Sequence, residues 1–404
     1  RDSRPSGDNI LHAMTNELTR LGRTVILCGI VPTPTIQYMV YNTEAIGGFI
    51  VTASHNPVEW NGLKFVQGDS TFFQTQDCEN LFQLVDKNIE LPNADDPGII
   101  WPEKNAIQKH VIACASLSCI DLTRIQRHHF KVVIDAVNGA GAHALPTMLK
   151  SLGCDVIELN CIPDGNFTRG TEPLPENLTD LSQAVIKHGA VCGFAVDPDA
   201  DRLATVDENG TPLGEEYTLV LAADGYLKDT NKTEPFVVNL STSLALEKLA
   251  EGENVSVVRT AVGEINVVNK MNDIGSELGG EGNGGVILRE CHLGRDSLVG
   301  ASMVLNRISQ GKHTLSEIHQ LLPQFEIVKD KVDLDGIDLG ALIKKVKSLF
   351  HDADINTLDG VKFTWADRWV HLRNSNTEPI IRIYAEASKK SEANKLVNQI
   401  RSCI

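Results

Sequence analysis

The sequence predicts an α/β protein: three similar mixed-sheet α/β domains, their strands largely parallel, followed by a smaller α+β domain. Three observations predict it. Short apolar runs of strand length alternate with longer stretches of helical periodicity through most of the chain. Glycine-rich and Asp/Asn/Pro-rich turns fall at the ends of those runs, as they do where strands of a sheet release the chain. After about Ile327 the order changes to a strand, a helix, three strands and a closing helix. A length of 404 residues suits such a division, since domains average about 150 residues. The expected boundaries are 1–127, 128–230, 231–325 and 326–404.

Each element has its own signal. Residues 1–7 are polar and turn-rich. Ile10, Leu11, Met14, Leu18 and Leu21 then mark one face of a helix. Residues 25–28 form a strand, and Pro32-Thr33-Pro34 starts a helix expected to run to near Gly47. Gly48-Phe49-Ile50-Val51 is an apolar run of a buried strand, and residues 61–66 turn into a second one. A helix over 78–89 and a loop over 91–102 follow. A long amphipathic stretch, 106–124, leads to the basic Arg124-Gln126-Arg127-His128-His129 patch at the first boundary. In the second domain the strands are 131–135, 154–159 and 191–196, with helices to Leu152 and over 178–188 and 215–227. Residues 203–213 read as a hairpin about Glu208-Asn209-Gly210. The third domain repeats the theme: strands 236–240 and 255–258, helices 244–250 and 262–271, strands 277–281 and 286–288, and a helix over 296–308. The last has strands 327–332, 360–365, 369–372 and 380–387, with helices over 339–349 and 391–403.

Composition excludes several classes of function. A net charge of −16 argues against nucleic-acid or anionic-membrane partners, though a local basic pocket for a phosphorylated ligand remains compatible with it. No apolar run reaches bilayer length. The nine cysteines include no Cys-x-x-Cys pair, so neither a zinc site nor a redox dithiol is suggested. Most lie in apolar runs and read as small buried hydrophobes in a reducing cytoplasm.

Four loops concentrate chemistry. Thr52-Ala53-Ser54-His55-Asn56-Pro57 follows the apolar run 48–51. Its Asn-Pro step breaks strand and helix alike, which leaves Ser54 on a tight turn. Asp197-Pro198-Asp199-Ala200-Asp201-Arg202 sets three carboxylates at alternate positions past a strand, a donor set for a hard divalent cation. Glu208 falls where an EF-hand loop would close, but Arg202 stands where that loop needs glycine, and the flanks are strands. Magnesium is favoured, because an acidic site that handles phosphate binds it through few carboxylates. Gly279-Gly280-Glu281-Gly282-Asn283-Gly284-Gly285 lets backbone approach a ligand, with Glu281 and Asn283 able to bond sugar hydroxyls. Its spacing is not that of a dinucleotide fingerprint. Arg373-Asn374-Ser375-Asn376-Thr377-Glu378-Pro379, followed by Arg382, combines guanidinium groups with a turn that can nest an anion.

Taken together and in this order, one per domain, the four loops resemble those of the α-D-phosphohexomutase family, which includes phosphoglucomutase, phosphomannomutase and phosphoglucosamine mutase. The resemblance covers essentially the whole chain. It implies four domains around a central cleft: a phosphoserine domain, a metal-binding domain, a sugar-recognition domain and a phosphate-binding domain. It implies an isomerase that interconverts hexose 6-phosphate and hexose 1-phosphate. Ser54 would carry the phosphoryl group, and Mg²⁺, one per chain, would be held by Ser54, Asp197, Asp199 and Asp201. Arg4, His55, Lys64 and Arg202 would supply positive charge or proton transfer. Lys64 resembles a proposed general base, a role for which nearby cations and burial would lower its pKa. Glu281 and Asn283 would contact the sugar, and Arg373, Ser375, Asn376, Thr377 and Arg382 the far phosphate. A sugar 1,6-bisphosphate would be the intermediate or activator. Many relatives have glycine at the position of Asn376, and many end the sugar loop in Ser-Gly-His where this chain has Asn283-Gly284-Gly285, so that histidine is absent. Relatives also carry a Gly-rich strand before the position of Arg1. The sugar loop leans toward glucosamine phosphate. The alternatives are a dual phosphoglucomutase/phosphomannomutase, a non-catalytic sugar-phosphate-binding homologue, and a metal-dependent phosphatase. The retained serine and aspartates speak against the second of these, and the lack of an Asp nucleophile against the third.

Overall fold

In the computed structural model, which describes residues 1–230, 232–333, 339–374 and 380–404, the first third of the chain is built on two strand pairs. Helix α1 (Gly7–Arg20), strand β1 (Val25–Leu27), helix α2 (Thr33–Tyr41), strands β2 (Gly47–Val51) and β3 (Leu63–Gln67), helix α3 (Thr75–Asp86), strand β4 (Ile100–Pro102) and helices α4 (Ala106–Ala115) and α5 (Leu122–His128) follow in order. β1 pairs with β4 in parallel, and β2 with β3 antiparallel, Phe49 opposite Phe65. Val40, Ile50 and Val66 pack α2 onto that hairpin.

Next come β5 (Lys131–Asp135), α6 (Gly141–Ser151), β6 (Asp155–Leu159), α7 (Thr179–His188), β7 (Cys192–Val196), β8 (Leu203–Asp207) and α8 (Glu216–Asp229). They form a mixed sheet of order β6-β5-β7-β8, parallel at β5 and antiparallel between β7 and β8. Every residue of β7 and β8 is buried, which is why β7 reads as a near-continuous apolar run. Val133, Leu181, Val185 and Val206 hold α7 against this sheet.

The third stretch contains β9 (Phe236–Asn239), α9 (Leu244–Gly252), β10 (Val257–Thr260), α10 (Glu264–Ile274), β11 (Leu278–Glu281), β12 (Gly285–Leu288), α11 (Ser297–Ser309) and α12 (Leu315–Leu321). β9 and β10 are parallel, and β11 and β12 form an antiparallel pair. All residues of α11 are buried; it packs against α4, α5, α6 and α8. The last stretch holds β13 (Glu326–Asp333), α13 (Leu339–Leu349), β14 (Asp354–Asn356), β15 (Val361–Thr364), β16 (Arg368–Asn374), β17 (Ile380–Ala387) and α14 (Lys390–Arg401). Its five strands make an antiparallel sheet of order β13-β17-β16-β15-β14, closed by Val346, Phe363, Val370, Ile383 and Val397.

By packing, the chain divides into two units. The first is Arg1–Lys232 with Glu277–His319; the second is Thr233–Ser276 with Gln320–Ile404. No helix among the described residues is long and apolar enough to cross a membrane.

Several elements differ from expectation for identifiable reasons. α2 ends at Tyr41 and not near Gly47, because Asn42 caps it and the Thr43 hydroxyl takes the Met39 carbonyl. The stretch 106–124 is two helices, not one. The Asn306 side chain donates to the Cys119 carbonyl and accepts from the Asp121 N–H, which satisfies the backbone at the break. The loop 91–102 ends in β4, recruited by pairing with β1. In β2 only Ile50 and Val51 are buried. α12 and β14 had no expectation.

Candidate active site

Ser54 lies just beyond β2 with φ of 48°, a left-handed conformation that costs a non-glycine residue energy and is held by its surroundings. Its N–H donates to Thr52 Oγ1 at 2.9 Å, and Thr52 Oγ1 donates to Asp2 Oδ2 at 2.7 Å. Beneath the turn lies the fully buried Arg4. Its Nη1 donates to the carbonyls of Pro57 and Trp60, its Nη2 to those of Ser54 and Asn56, and its Nε to Asp2. Arg4 therefore spends its donors on backbone and on one carboxylate. Through these bonds it shapes the Ser54 turn and sets its guanidinium beneath it.

Opposite the hydroxyl stands the aspartate triplet. Asp197 follows β7, and Ala200 takes a φ of 54°, so the turn folds all three carboxylates inward. Ser54 Oγ lies 3.3 Å from Asp197 Oδ2. Asp197, Asp199 and Asp201 are buried, and one oxygen from each lies within 4.8 Å of the others. Burial and the two neighbouring carboxylates push the Asp197 carboxyl well above its ordinary range. Asp199 is also penalised by burial, but the Lys64 ammonium and the Thr33 hydroxyl hold it below that range. Asp199 Oδ1 and Asp201 Oδ1 are buried with no hydrogen-bond partner among the described residues. Orphaned carboxylate oxygens in an all-oxygen cluster fit a hard divalent cation, magnesium above all.

Three cations ring this cluster. Lys64 Nζ, on β3, lies 2.7 Å from Asp199 and 3.3 Å from Asp201. Burial disfavours its ammonium, yet the two carboxylates outweigh burial, and its pKa is raised. This reverses the expected lowering: the nearby Arg295 guanidinium does lower the pKa, but Asp199 and Asp201 together outweigh it. Arg202 donates to Glu172 Oε1 at 2.9 Å and faces His55 Nδ1 at 3.1 Å. Burial and the Arg202 guanidinium lower the His55 pKa, and its Nδ1 is 3.4 Å from Ser54 Oγ. Arg295 bridges Asp201 Oδ2 at 2.7 Å and Glu281 Oε2 at 2.9 Å.

Glu281, at the end of β11, is buried, and Asn283 reaches it only at 3.5 Å. The glycine loop docks on β8: the Leu203 N–H donates to the Gly284 carbonyl at 3.0 Å. In the second unit Arg373 and Arg382 pair directly across β16 and β17. Arg373 Nε is 3.3 Å from Asp359 Oδ2, and Arg382 Nη1 donates to Tyr384 at 3.3 Å. Ser375, Asn376 and Thr377 lie outside the described residues.

The structure thus gathers Ser54, His55, Lys64, Asp197, Asp199, Asp201 and Arg202 in the first unit. Sequence reasoning missed Asp2, Thr33, Glu172 and Arg295. Asp2 and Arg295 each sit beside a residue with a visible role, Arg4 through its Asp-x-Arg spacing and Asp296 as the cap of α11; Thr33 and Glu172 carry no local signal.

Comparison with known proteins bears on the whole chain. Patterns described as phosphoglucomutase/phosphomannomutase α/β/α domains I, II and III match residues 1–91, 108–210 and 214–325, and the pattern for the C-terminal domain matches 327–402. A probable phosphoglucosamine mutase of Methanopyrus kandleri is 33% identical over all of this chain and 90% of its own length. A phosphoglucomutase/phosphomannomutase of Thermococcus kodakarensis is 36% identical over 97% of this chain and 86% of its own. The crystal structure of a phosphoglucomutase/phosphomannomutase family protein from Burkholderia thailandensis superposes with a TM-score of 0.84 at 26% identity, over all of this chain and 87% of that one.

Proposed function

The chain belongs to the phosphoglucomutase/phosphomannomutase family and is a phosphohexomutase, an isomerase, and on that premise we propose that it moves a phosphoryl group between the 6- and 1-positions of a hexose through phospho-Ser54. The observation that carries this reading is Ser54 Oγ, held on a strained turn 3.3 Å from Asp197 in a ring of buried carboxylates.

In the first half-reaction the O–P bond of phospho-Ser54 breaks as a bond forms from phosphorus to a sugar hydroxyl oxygen. The sugar hydroxyl's proton ends on the freed Ser54 Oγ, and the product is a sugar 1,6-bisphosphate. That intermediate reorients; the bond from the other phosphorus to its sugar oxygen breaks as Ser54 Oγ bonds that phosphorus, and the Ser54 hydroxyl proton ends on the freed sugar oxygen. Phosphoryl transfer demands positioning and charge neutralisation more than covalent help. Asp197, Asp199 and Asp201, with a phosphoserine oxygen, would hold magnesium, which would supply that neutralisation. Lys64 and Arg202 are the chain's own fixed cations for the transferred group. His55, neutral at pH 7 and 3.4 Å from Ser54 Oγ, holds or passes the proton. Lys64, its proton retained by two carboxylates, serves as a charge and not as the base. Arg373 and Arg382, with Ser375, Asn376 and Thr377, anchor the phosphate that is not in transit, and Glu281 with Asn283 reads the sugar hydroxyls.

Glucosamine phosphate is the preferred substrate on this reading, supported by the glycine-rich sugar loop and by the name of the Methanopyrus relative. The identity to the Thermococcus protein favours dual glucose/mannose specificity as the second reading. Two experiments test the proposal. Intact mass and peptide mapping should find one phosphate on Ser54, and Ser54→Ala should lose turnover by about 10⁴-fold or more; full activity in that variant refutes the mechanism. Coupled assays with glucosamine, glucose and mannose 6-phosphates should favour the first by about tenfold or more in kcat/KM. Equal rates on all three remove the preference.

A further inference from the structure

Away from the Ser54 loop, the first unit buries a second cluster of metal-ligating side chains. His110 and Cys114 sit one turn apart on α4, so they share a face. Cys291 and Asp296 come from the segment between β12 and α11. All four are buried, none more than 3% exposed, and one ligand atom from each lies within 4.8 Å of the rest. The two sulfurs are 3.9 Å apart, near the separation of two thiolates on one tetrahedral zinc, whose Zn–S bonds are about 2.3 Å.

The surroundings are arranged as around a ligated metal. His110 Nε2 faces the cluster, 2.8 Å from Asp296 Oδ2 and in contact with Cys291. Its Nδ1 is held by Thr35 Oγ1 at 3.0 Å, the partner that fixes ring orientation at metal-bound histidines. Asp296 Oδ1 caps α11 through the Leu298 N–H at 2.8 Å, and His292 Nε2 lies 3.1 Å from Oδ2. Both bonds orient the carboxylate. This set serves neither magnesium nor the phosphoryl chemistry: two sulfurs and an imidazole are soft donors.

We infer that His110, Cys114, Cys291 and Asp296 form a structural zinc site. Four protein ligands complete a tetrahedron and leave no open position, so the site is a clamp and not a reaction centre. It ties α4 to the segment that ends at the start of α11. The neighbouring Arg295 reaches Asp201 and Glu281, so the clamp fixes the approach of one guanidinium to the carboxylate triplet.

The full-length chain, purified without chelator in magnesium buffer, should contain roughly one zinc per chain. After removal of zinc by chelation, cobalt(II) should produce a thiolate-to-cobalt charge-transfer band and the visible bands of a tetrahedral ion. Cys114→Ser and Cys291→Ser should each abolish the charge-transfer band and weaken zinc binding beyond the roughly 100-fold limit of outer-shell changes. Thr35→Val should keep the stoichiometry and weaken affinity about tenfold or more. Ser54→Ala should retain full zinc, so failure of the mutase mechanism and failure of the zinc site are separable. Substoichiometric zinc with no charge-transfer band in the parent chain overturns the inference, whatever the variants do. A Cys114–Cys291 disulfide found by non-reducing peptide mapping overturns it as well.

Discussion

Arg4 acts on Ser54 through the backbone of its turn, and its substitution should be read as a positioning defect. A lysine keeps the charge but cannot reach four carbonyls and a carboxylate at once, because only the guanidinium carries a planar fork of donors. Arg4→Lys should lower kcat by about 10²-fold, as misplacement of a reacting group by an ångström does. The loss should fall on kcat with little change in KM for the sugar phosphate, since these bonds go to the Ser54 turn and to Asp2; a raised KM at unchanged kcat would place Arg4 in substrate binding instead. Arg295 differs. It is the partner shared by two buried carboxylates, Asp201 and Glu281. Arg295→Met removes one charged partner from each, with Lys64 still facing Asp201, and should destabilise the first unit by about 2 kcal/mol in urea unfolding. A loss within experimental error of zero would mean that water or another cation replaces it. Lys64 shows how far sequence carries at this scale. Its presence near the site was legible from Asn61-Gly62-Leu63-Lys64, but its environment was not. The carboxylates that raise its pKa stand 135 and 137 residues away.

At the level of elements, the site is a set of strand-end turns, and this explains what sequence could disclose. Ser54 and the three aspartates were legible because each motif is contiguous and closes a strand, β2 or β7. Thr33 and Arg295 were not, since their bonds to the aspartates span 166 and 94 residues and leave no local pattern. The same limit hid the zinc ligands. Cys-x-x-Cys spacing is a local signal, whereas Cys114 and Cys291 meet across 177 residues; only the His110–Cys114 helical spacing was there to see. The split of 106–124 into α4 and α5 depends likewise on Asn306, supplied by α11. The glycine loop gives an element-scale prediction. Gly284 has φ of 85°, and a Cβ there would lie 2.3 Å from the Leu203 carbonyl oxygen on β8. Gly275, with φ of 67°, has nothing near a Cβ. Gly284→Ala should therefore cost about 2–3 kcal/mol and displace the glycine loop, while Gly275→Ala should cost only about 1 kcal/mol. Equal costs would mean that backbone strain alone, and not docking on β8, sets the requirement for glycine.

On the scale of the whole molecule, the net charge of −16 coexists with a site whose charges are locally matched. The two units also differ in what acid should do to them. The triplet and its cations belong to the first unit, whereas the second buries His371 on β16. There Ser241 Oγ lies 3.0 Å from Nδ1, and Nε2 lies 2.6 Å from the Asp359 carbonyl. Those two contacts satisfy a neutral ring with its proton on Nε2. Burial lowers the His371 pKa from 6.5 to about 4, with Lys362 and Arg373 adding to the effect. The folded-state value lies below the unfolded one, so between them the unfolded chain binds the extra proton. Stability is then fully present above pH 6.5 and falls as the pH drops toward 4, by up to about 3 kcal/mol at 1.36 kcal/mol per unit. Trp369, fully buried on the same strand, makes the second unit observable by fluorescence. With Trp60, Trp101 and Trp365 replaced by Phe in every chain compared, urea unfolding followed at Trp369 should move to lower midpoints across that pH window. His371→Gln, which has no titrating ring, should flatten the dependence while lowering the plateau at neutral pH. A parent chain and variant with the same slope between pH 6.5 and 4 would assign the acid sensitivity to other groups in the second unit.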